Sequence, residues 1–366
     1  MENVDHNAFL NINLNAIKDN YKTAKKKVKK NCIVAATVKA NAYGLGIDKV
    51  VSALIKAGCR NYFVATTNEA IELRKIDKKV RIFILNGLVA KDIQLISRSN
   101  LIPVINNLNQ LKKIETFQKK INKRLSIALH FDTGMSRLGF DKSETEYLLK
   151  NKSNLIKRSK LLLVMSHLAC ADNIKSVKNE IQLKKFNEIK NHFPNSIHSL
   201  SNSAGILLGK KYNFDMVRPG ISLYGGHCKL NEKSIYKNVV TLSAKIIQVR
   251  KINKNDTIGY GATFKSKSKM IIGTIPIGYA DGFNRLFSNK YHVLYKNKKI
   301  NILGRISMDL TTIDLTKFRD NSNFKNEEVK IIHQKNTINN ISKTINTIPY
   351  ELLTSLGSRF TRRYKN

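Results

Sequence analysis

The stretch Ile33-Val34-Ala35-Ala36-Thr37-Val38-Lys39-Ala40-Asn41-Ala42-Tyr43-Gly44-Leu45-Gly46 runs from six apolar or β-branched positions directly into a lysine and a turn of small residues. It reads as a short strand delivering a functional loop. Seven further runs of this kind follow, at 62–66, 80–85, 101–105, 125–131, 161–165, 197–201 and 214–217. Between them lie polar segments with helical apolar period, among them 48–57, 68–75, 107–120 and 174–192. Eight strand–helix units that start at residue 33 and close near 220 predict an α/β fold, an N-terminal (β/α)8 barrel. After about Gly226 the texture changes to strands without long intervening helices, at 239–249, 270–277, 292–295 and 299–303, which predicts a separate, mainly β domain. Residues 9–14 alternate as a strand able to pair with it. The expected limits are 1–12 for that strand, 13–228 for the barrel and 229–366 for the C-terminal β domain.

Length and composition fit this division. The chain has 366 residues, and at roughly 100 to 200 residues per domain the natural count is two domains, or a barrel with an appendage. Hydrophobic residues make up 42% of it, enough for a sizeable core and too much for a disordered chain. No apolar run approaches the roughly 18 residues of a membrane span. The opening MENVDHNAFLNINLNAIKDN lacks the basic end and greasy centre of a secretory signal, so a cytoplasmic protein without membrane association is expected. Cys32, Cys59, Cys170 and Cys228 lie far apart with no CxxC pairing. They read as free thiols, with neither a disulfide framework nor a metal site.

The charge balance raises one further class. Lys and Arg number 65 against 26 Asp and Glu, a formal net charge of +39, and such an excess ordinarily points to nucleic acid. Here the lysines are spread over the whole length and accompanied by abundant Asn and Ile, the mixture that codon drift toward A and T produces. The densest run, Lys25-Lys26-Lys27-Val28-Lys29-Lys30, ends a predicted helix, where cations suit the helix dipole. No motif supports a nucleic-acid partner.

In a barrel of this class the active site lies at the C-terminal ends of the strands. A lysine leaving a buried strand there is poorly solvated, which lowers its pKa and frees its amine to form a Schiff base. Lys39 is that lysine. The string around it resembles the pyridoxal-phosphate lysine motif of the alanine racemase family, and further matches follow in order. They are Ser166-His167-Leu168-Ala169, Asn202-Ser203-Ala204-Gly205, Arg218-Pro219-Gly220-Ile221-Ser222-Leu223-Tyr224-Gly225, Gly259-Tyr260-Gly261-Ala262-Thr263-Phe264, Ile277-Gly278-Tyr279-Ala280-Asp281-Gly282 and Gly304-Arg305-Ile306-Ser307-Met308-Asp309. The similarity spans essentially the full chain.

The resemblance implies a pyridoxal 5′-phosphate enzyme that interconverts L- and D-alanine for peptidoglycan supply, as a homodimer with active sites shared across subunits. Lys39 and Tyr260 are implied as the acid/base pair on opposite faces of the α-carbon, with Tyr260 reaching in from the other subunit. Lowering a phenol from pKa near 10 to about 7 takes roughly 4 kcal/mol of preferential phenolate stabilisation, and His167 with Arg218 is the implied relay. Ser203 and the amides of Gly220 and Ile221 would form the phosphate cup, with Tyr43 adding its hydroxyl. Arg218 would face the pyridine nitrogen and oppose its protonation. Arg137 would meet the cofactor's phenolic oxygen and the substrate carboxylate, the Met308 amide would bind that carboxylate from the partner, and Tyr279 would narrow the entrance.

Three departures stand out. His130 occupies the position of a lysine that many members modify to a carbamate, and a neutral imidazole cannot supply that anion. Leu45 replaces the usual His of the lysine motif. Ser358 precedes Arg359 where some members have a tyrosine, a change able to enlarge the methyl pocket and favour a broader racemase acting on serine. The other alternative is a barrel that binds pyridoxal phosphate without catalysis; the residues after Gly226, with Tyr260 and Met308, speak against it.

Overall fold

In the computed structural model the chain is described at residues 7–228, 234–318, 324 and 326–366. It divides into two compact units, Ile17–Lys237 and a second that joins the residues up to Ala16 with Asn238–Asn366. The boundary expected at 229 lies outside the described residues.

In the first unit the 33–38 run is two short strands, Ile33–Val34 and Ala36–Thr37. It is followed by Asn61–Val64, Arg81–Ile84, Ile102–Ile105, Ser126–His130, Lys160–Met165, Ile197–Ser199 and Met216–Val217. Every expected run is present. Seven of these strands form one parallel sheet in chain order. The last pairs in parallel with Ile33–Val34, and Arg218 N donates to Ser201 O at 2.9 Å, so the sheet curls back on its own beginning. Parallel strands covered on both faces read as continuous apolar runs rather than alternation. Ala35, Phe63, Phe83, Ile102, Val104, Ala128, Leu163, Met165 and Met216 fill the interior as one cluster, with the rings of Phe63 and Phe83 stacked at 4.7 Å. Full burial of a large apolar side chain stabilises by about 1.5–3 kcal/mol, so this cluster holds the strand ends in register.

Helices Ile47–Lys56, Thr67–Ile76, Leu108–Ile121 and Val177–Asn191 lie where the helical period predicts them. Local chemistry sets their starts: Asn107 accepts from Gln110 N at 2.9 Å, and Thr66 accepts from Glu69 N at 3.3 Å. Helix Leu14–Lys27 ends on Lys25, Lys26 and Lys27.

The second unit is built on a nine-stranded sheet. Ala8–Asn13 pairs antiparallel with Val240–Lys245 and parallel with Thr361–Lys365, as the alternation at 9–14 predicts. The run at 239–249 is not one strand. It breaks into Val240–Lys245 and Gln248–Ile252, because Ile246 N bonds to Glu327 O while Ile247 N bonds to Thr274 O, which hands the chain from one part of the sheet to another. Two short helices, Ile338–Thr344 and Pro349–Thr354, were not expected. The four cysteines are free. Among the described residues no helix is long and apolar enough to cross a membrane, and no group of His, Cys, Asp and Glu is placed to hold a metal ion.

Candidate active site

Two strand ends carry the core of the site. Thr37 N donates to Pro219 O at 2.9 Å, so the turn that starts at Lys39 and the turn that starts at Gly220 leave adjacent strands. After Val38 the backbone enters a left-handed turn: Ala40, Asn41, Ala42 and Tyr43 have φ of 52°, 53°, 53° and 56°. None of the four is glycine. For L-residues this conformation costs about 1–2 kcal/mol each, so the surroundings must impose it. Asn41 Oδ1 accepts from Ile47 N at 2.8 Å, and Glu69 Oε1 accepts from Ala40 N at 2.7 Å. Burial, together with the Arg137 cation, lowers the pKa of Lys39, while Glu69 acts in the opposite direction. An amine so placed is more readily free of its proton than a surface lysine.

The second turn makes a cup of short side chains. Ser203 Oγ accepts from Gly220 N at 2.8 Å and from Ser222 N at 3.3 Å, and Ser222 Oγ lies 3.0 Å from it. The Tyr43 hydroxyl presses on Gly220 so closely that a Cβ there would collide with it. The Tyr43 ring packs tilted by 31° against that of Tyr224, their centroids 4.6 Å apart, and Tyr224 Oη donates to Thr37 O at 2.9 Å. Ile221, fully buried, opens the turn Ile221–Tyr224. The structure therefore brings Tyr43, Ser203, Gly220 and Ile221 together and adds Ser222, whose signal was its place two residues after the glycine.

Arg218, buried, is fixed from several sides. It donates to Ser199 Oγ, to Ser166 O at 2.5 Å and to Leu200 O at 3.4 Å, and its Nη2 lies 3.4 Å from His167 Nδ1. Desolvation brings its pKa down to about 9, so it remains a cation at neutral pH. Burial and then the Arg218 and Arg137 cations hold His167 well below the ordinary histidine value. Arg137 itself is exposed, at the end of a loop organised by Asp132. The Asp132 carboxylate accepts from Gly134 N and Met135 N at 2.8 Å each and from Ser136 N at 3.0 Å.

His130 is settled by its neighbour. Asn106 Nδ2 donates to Leu85 O and Val104 O, which leaves its Oδ1 facing His130 Nδ1 at 2.8 Å; Nδ1 therefore carries the proton. Burial, then Arg218 and Arg137, takes the pKa from 6.5 to about 3 against the pull of Asp132. Between those values the unfolded chain binds a proton here that the folded chain does not, so His130 makes stability fall as pH falls through that window. We expect His130→Gln to flatten the acid side of the stability curve, read from denaturant melts at several pH values; an unchanged slope would contradict this.

Tyr260, Tyr279 and Met308 all belong to the other unit. Thr257–Ile258 and Phe264–Lys265 form a hairpin, and Tyr260 stands in its connection, 71% exposed, between Gly259 and Gly261 at φ of 74° and 68°. Tyr260 and Tyr279 line a cleft of about 850 Å³ with Arg285 and Arg305. Met308, also exposed, is held through its carbonyl, which accepts from Ala280 N at 3.0 Å. Arg359 donates to Asp281 and to Asp309, each at 2.7 Å, and the adjacent Ser358 is exposed.

Comparison with known proteins covers both units. Residues 12–228 match the alanine racemase N-terminal domain and residues 239–364 the alanine racemase C-terminal domain. The alanine racemase of Rickettsia bellii is 44% identical over 337 residues, 92% of this chain and 82% of that protein. That of Rickettsia rickettsii is 42% identical over 354 residues, 96% and 98% of the two chains. A crystal structure of alanine racemase from Bartonella henselae with covalently bound pyridoxal phosphate superposes with a TM-score of 0.92, at 37% identity over 98% of this chain and 99% of that one. With both units matched and relatives this similar over most of their length, the chain belongs to the alanine racemase family.

Proposed function

We propose that this protein interconverts L- and D-alanine, using pyridoxal 5′-phosphate held at Lys39, as a homodimer in which Tyr260 and Met308 of the partner subunit complete each active site. Its D-alanine would serve peptidoglycan synthesis, and the free thiols suit a reducing cytoplasm. The observation that carries the reading is the joining of the Lys39 turn and the Ser203–Gly220–Ser222 cup on adjacent strand ends, in a chain of this family.

The residues fit the cofactor: an amine of lowered pKa suits covalent attachment, and a cup kept open by the absence of a Cβ at Gly220 suits a phosphate. Tyr43, Ser203, Ser222 and the amides of Gly220 and Ile221 would hold that phosphate. When bound, pyridoxal phosphate withdraws electrons from the amino acid's α-carbon and so acidifies its hydrogen. The Lys39 amine then takes or returns a proton on one face, and the Tyr260 phenol does so on the other. His167 and Arg218 favour the phenolate. Arg218, a fixed cation, also opposes protonation of a ring nitrogen placed against it. Arg137 and the Met308 amide bind the substrate carboxylate, and Tyr279 limits the side chain.

The test is α-proton exchange of alanine in D2O with purified protein and added cofactor. Both enantiomers are expected to exchange and interconvert, with serine slower; no exchange would reject the assignment, and faster serine would move it to a broader racemase. Gly220→Ala tests the cup. Overpacking such a site costs about 1–3 kcal/mol, so cofactor affinity of the stripped protein, followed by fluorescence titration, is expected to fall about tenfold. Unchanged affinity would remove the cup from phosphate binding.

A further inference from the structure

We propose that Glu69 is a positioning residue for Lys39, its carboxylate clamping the left-handed turn that carries the amine to the neighbouring strand–helix unit. The proposal rests on the reading of Lys39 given above. Thr66 and Glu69 form a reciprocal helix cap: Glu69 N donates to Thr66 Oγ1 at 3.3 Å, and Thr66 N donates to Glu69 Oε2 at 3.3 Å. The shorter bonds of the carboxylate go elsewhere. Oε2 accepts from Ala65 N at 2.6 Å, and Oε1 accepts from Ala40 N at 2.7 Å, across 29 residues of sequence.

Ala40 is where the backbone first turns left-handed, with φ 52° and ψ 52°. The amides on both sides of Lys39 are thus tied to one neighbouring unit, Val38 N to Phe63 O at 2.9 Å in the strand Asn61–Val64, and Ala40 N to Glu69 in the helix that follows. Without the second tie, Ala40 would open the strained turn with nothing to hold its amide, and the Lys39 side chain would lose a fixed origin. An anionic carboxylate accepts strongly from several amides at once. A glutamine would keep one acceptor oxygen and turn an NH2 toward an N–H donor. The negative charge also opposes the effects of burial and Arg137 on Lys39.

The test compares Glu69→Gln with Thr66→Ala, which breaks the helix cap but leaves the link to Ala40. Two quantities are read. The first is the pH midpoint for acetylation of Lys39 by acetic anhydride in the full chain stripped of cofactor with hydroxylamine, mapped by mass spectrometry. The second is kcat and KM of the loaded enzyme. For Glu69→Gln the midpoint is expected to fall by about one pH unit, and kcat about tenfold with KM little changed, while Thr66→Ala stays near wild type in both. A Glu69→Gln protein with wild-type midpoint and kcat overturns the proposal, as does a Thr66→Ala protein that loses as much. If Glu69→Gln does not fold, Glu69→Asp is read instead: its shorter arm keeps the charge but cannot span Ala65 and Ala40 together, so the midpoint is expected to stay near wild type while kcat falls about tenfold, and a wild-type kcat overturns the proposal. The acetylation midpoint does not depend on turnover. An absence of turnover in the unsubstituted protein would therefore count against the functional reading and not against Glu69.

Discussion

Replacing Lys39 by alanine is expected to lower turnover in both directions by about 10⁴-fold or more, because it removes two things at once. One is the amine proposed to attach the cofactor. The other is the proposed proton carrier on one face of the α-carbon. The surrounding architecture should survive, since the turn is held by backbone amides bonded to Glu69 and by Asn41, none of which involves the lysine side chain. The measurement is loss of the alanine α-proton signal in D2O, with thermal melting as a control for folding. A Lys39→Ala protein that folds and works within tenfold of wild type would exclude the lysine from the chemistry.

Tyr260→Phe should separate the two faces. Loss of a positioned acid/base group costs about 10²–10⁴-fold, and interconversion of enantiomers is expected to fall by that much. Exchange with solvent is expected to persist for one enantiomer, whose α-proton lies toward Lys39, and to cease for the other. The hydroxyl is unlinked to the stability of its own unit, because the side chain is 71% exposed there and exposed substitutions shift stability by only about 0.5 kcal/mol. Chiral chromatography beside the exchange measurement gives the answer. Equal loss of exchange for both enantiomers, or none for either, would contradict a division of labour between the two residues.

The barrel was legible because its strands are covered on both faces and so appear as short continuous apolar runs. The same rule misled at 239–249, where Ile246 and Ile247 keep the run apolar while the chain changes neighbours in the sheet. The stretch holding the helices Ile338–Thr344 and Pro349–Thr354 carries Ile338, Ile341, Ile345, Ile348 and Leu352 at three- and four-residue spacing, a helical period obscured by the shortness of the helices and by the Asn and Thr residues around them. In the candidate site, motif and position singled out Lys39, Ser203, Gly220 and Arg218, and the structure places Ser203 against Gly220 on a strand end adjacent to the Lys39 turn. The means of holding them were not readable. Nothing in Ala40-Asn41-Ala42-Tyr43 announces a left-handed turn, since the groups bonded to it, Ile47 N and the Glu69 carboxylate, lie outside it. Asp132 and Asn106 likewise look like ordinary polar residues until the amides they accept from, or the carbonyls they donate to, are known.

The two proton carriers of each site are proposed to come from different chains. Mixing Lys39→Ala and Tyr260→Phe proteins under conditions that exchange subunits tests this. Each is expected to be nearly inactive alone, yet a mixed dimer would hold one site with both groups intact and one with neither. Random exchange makes half of the dimers mixed, so activity is expected to rise to about a quarter of wild type. If mixed dimers form, as native mass spectrometry of differently tagged chains can establish, and activity stays at the level of the separate variants, then Lys39 and Tyr260 do not serve one site across two chains.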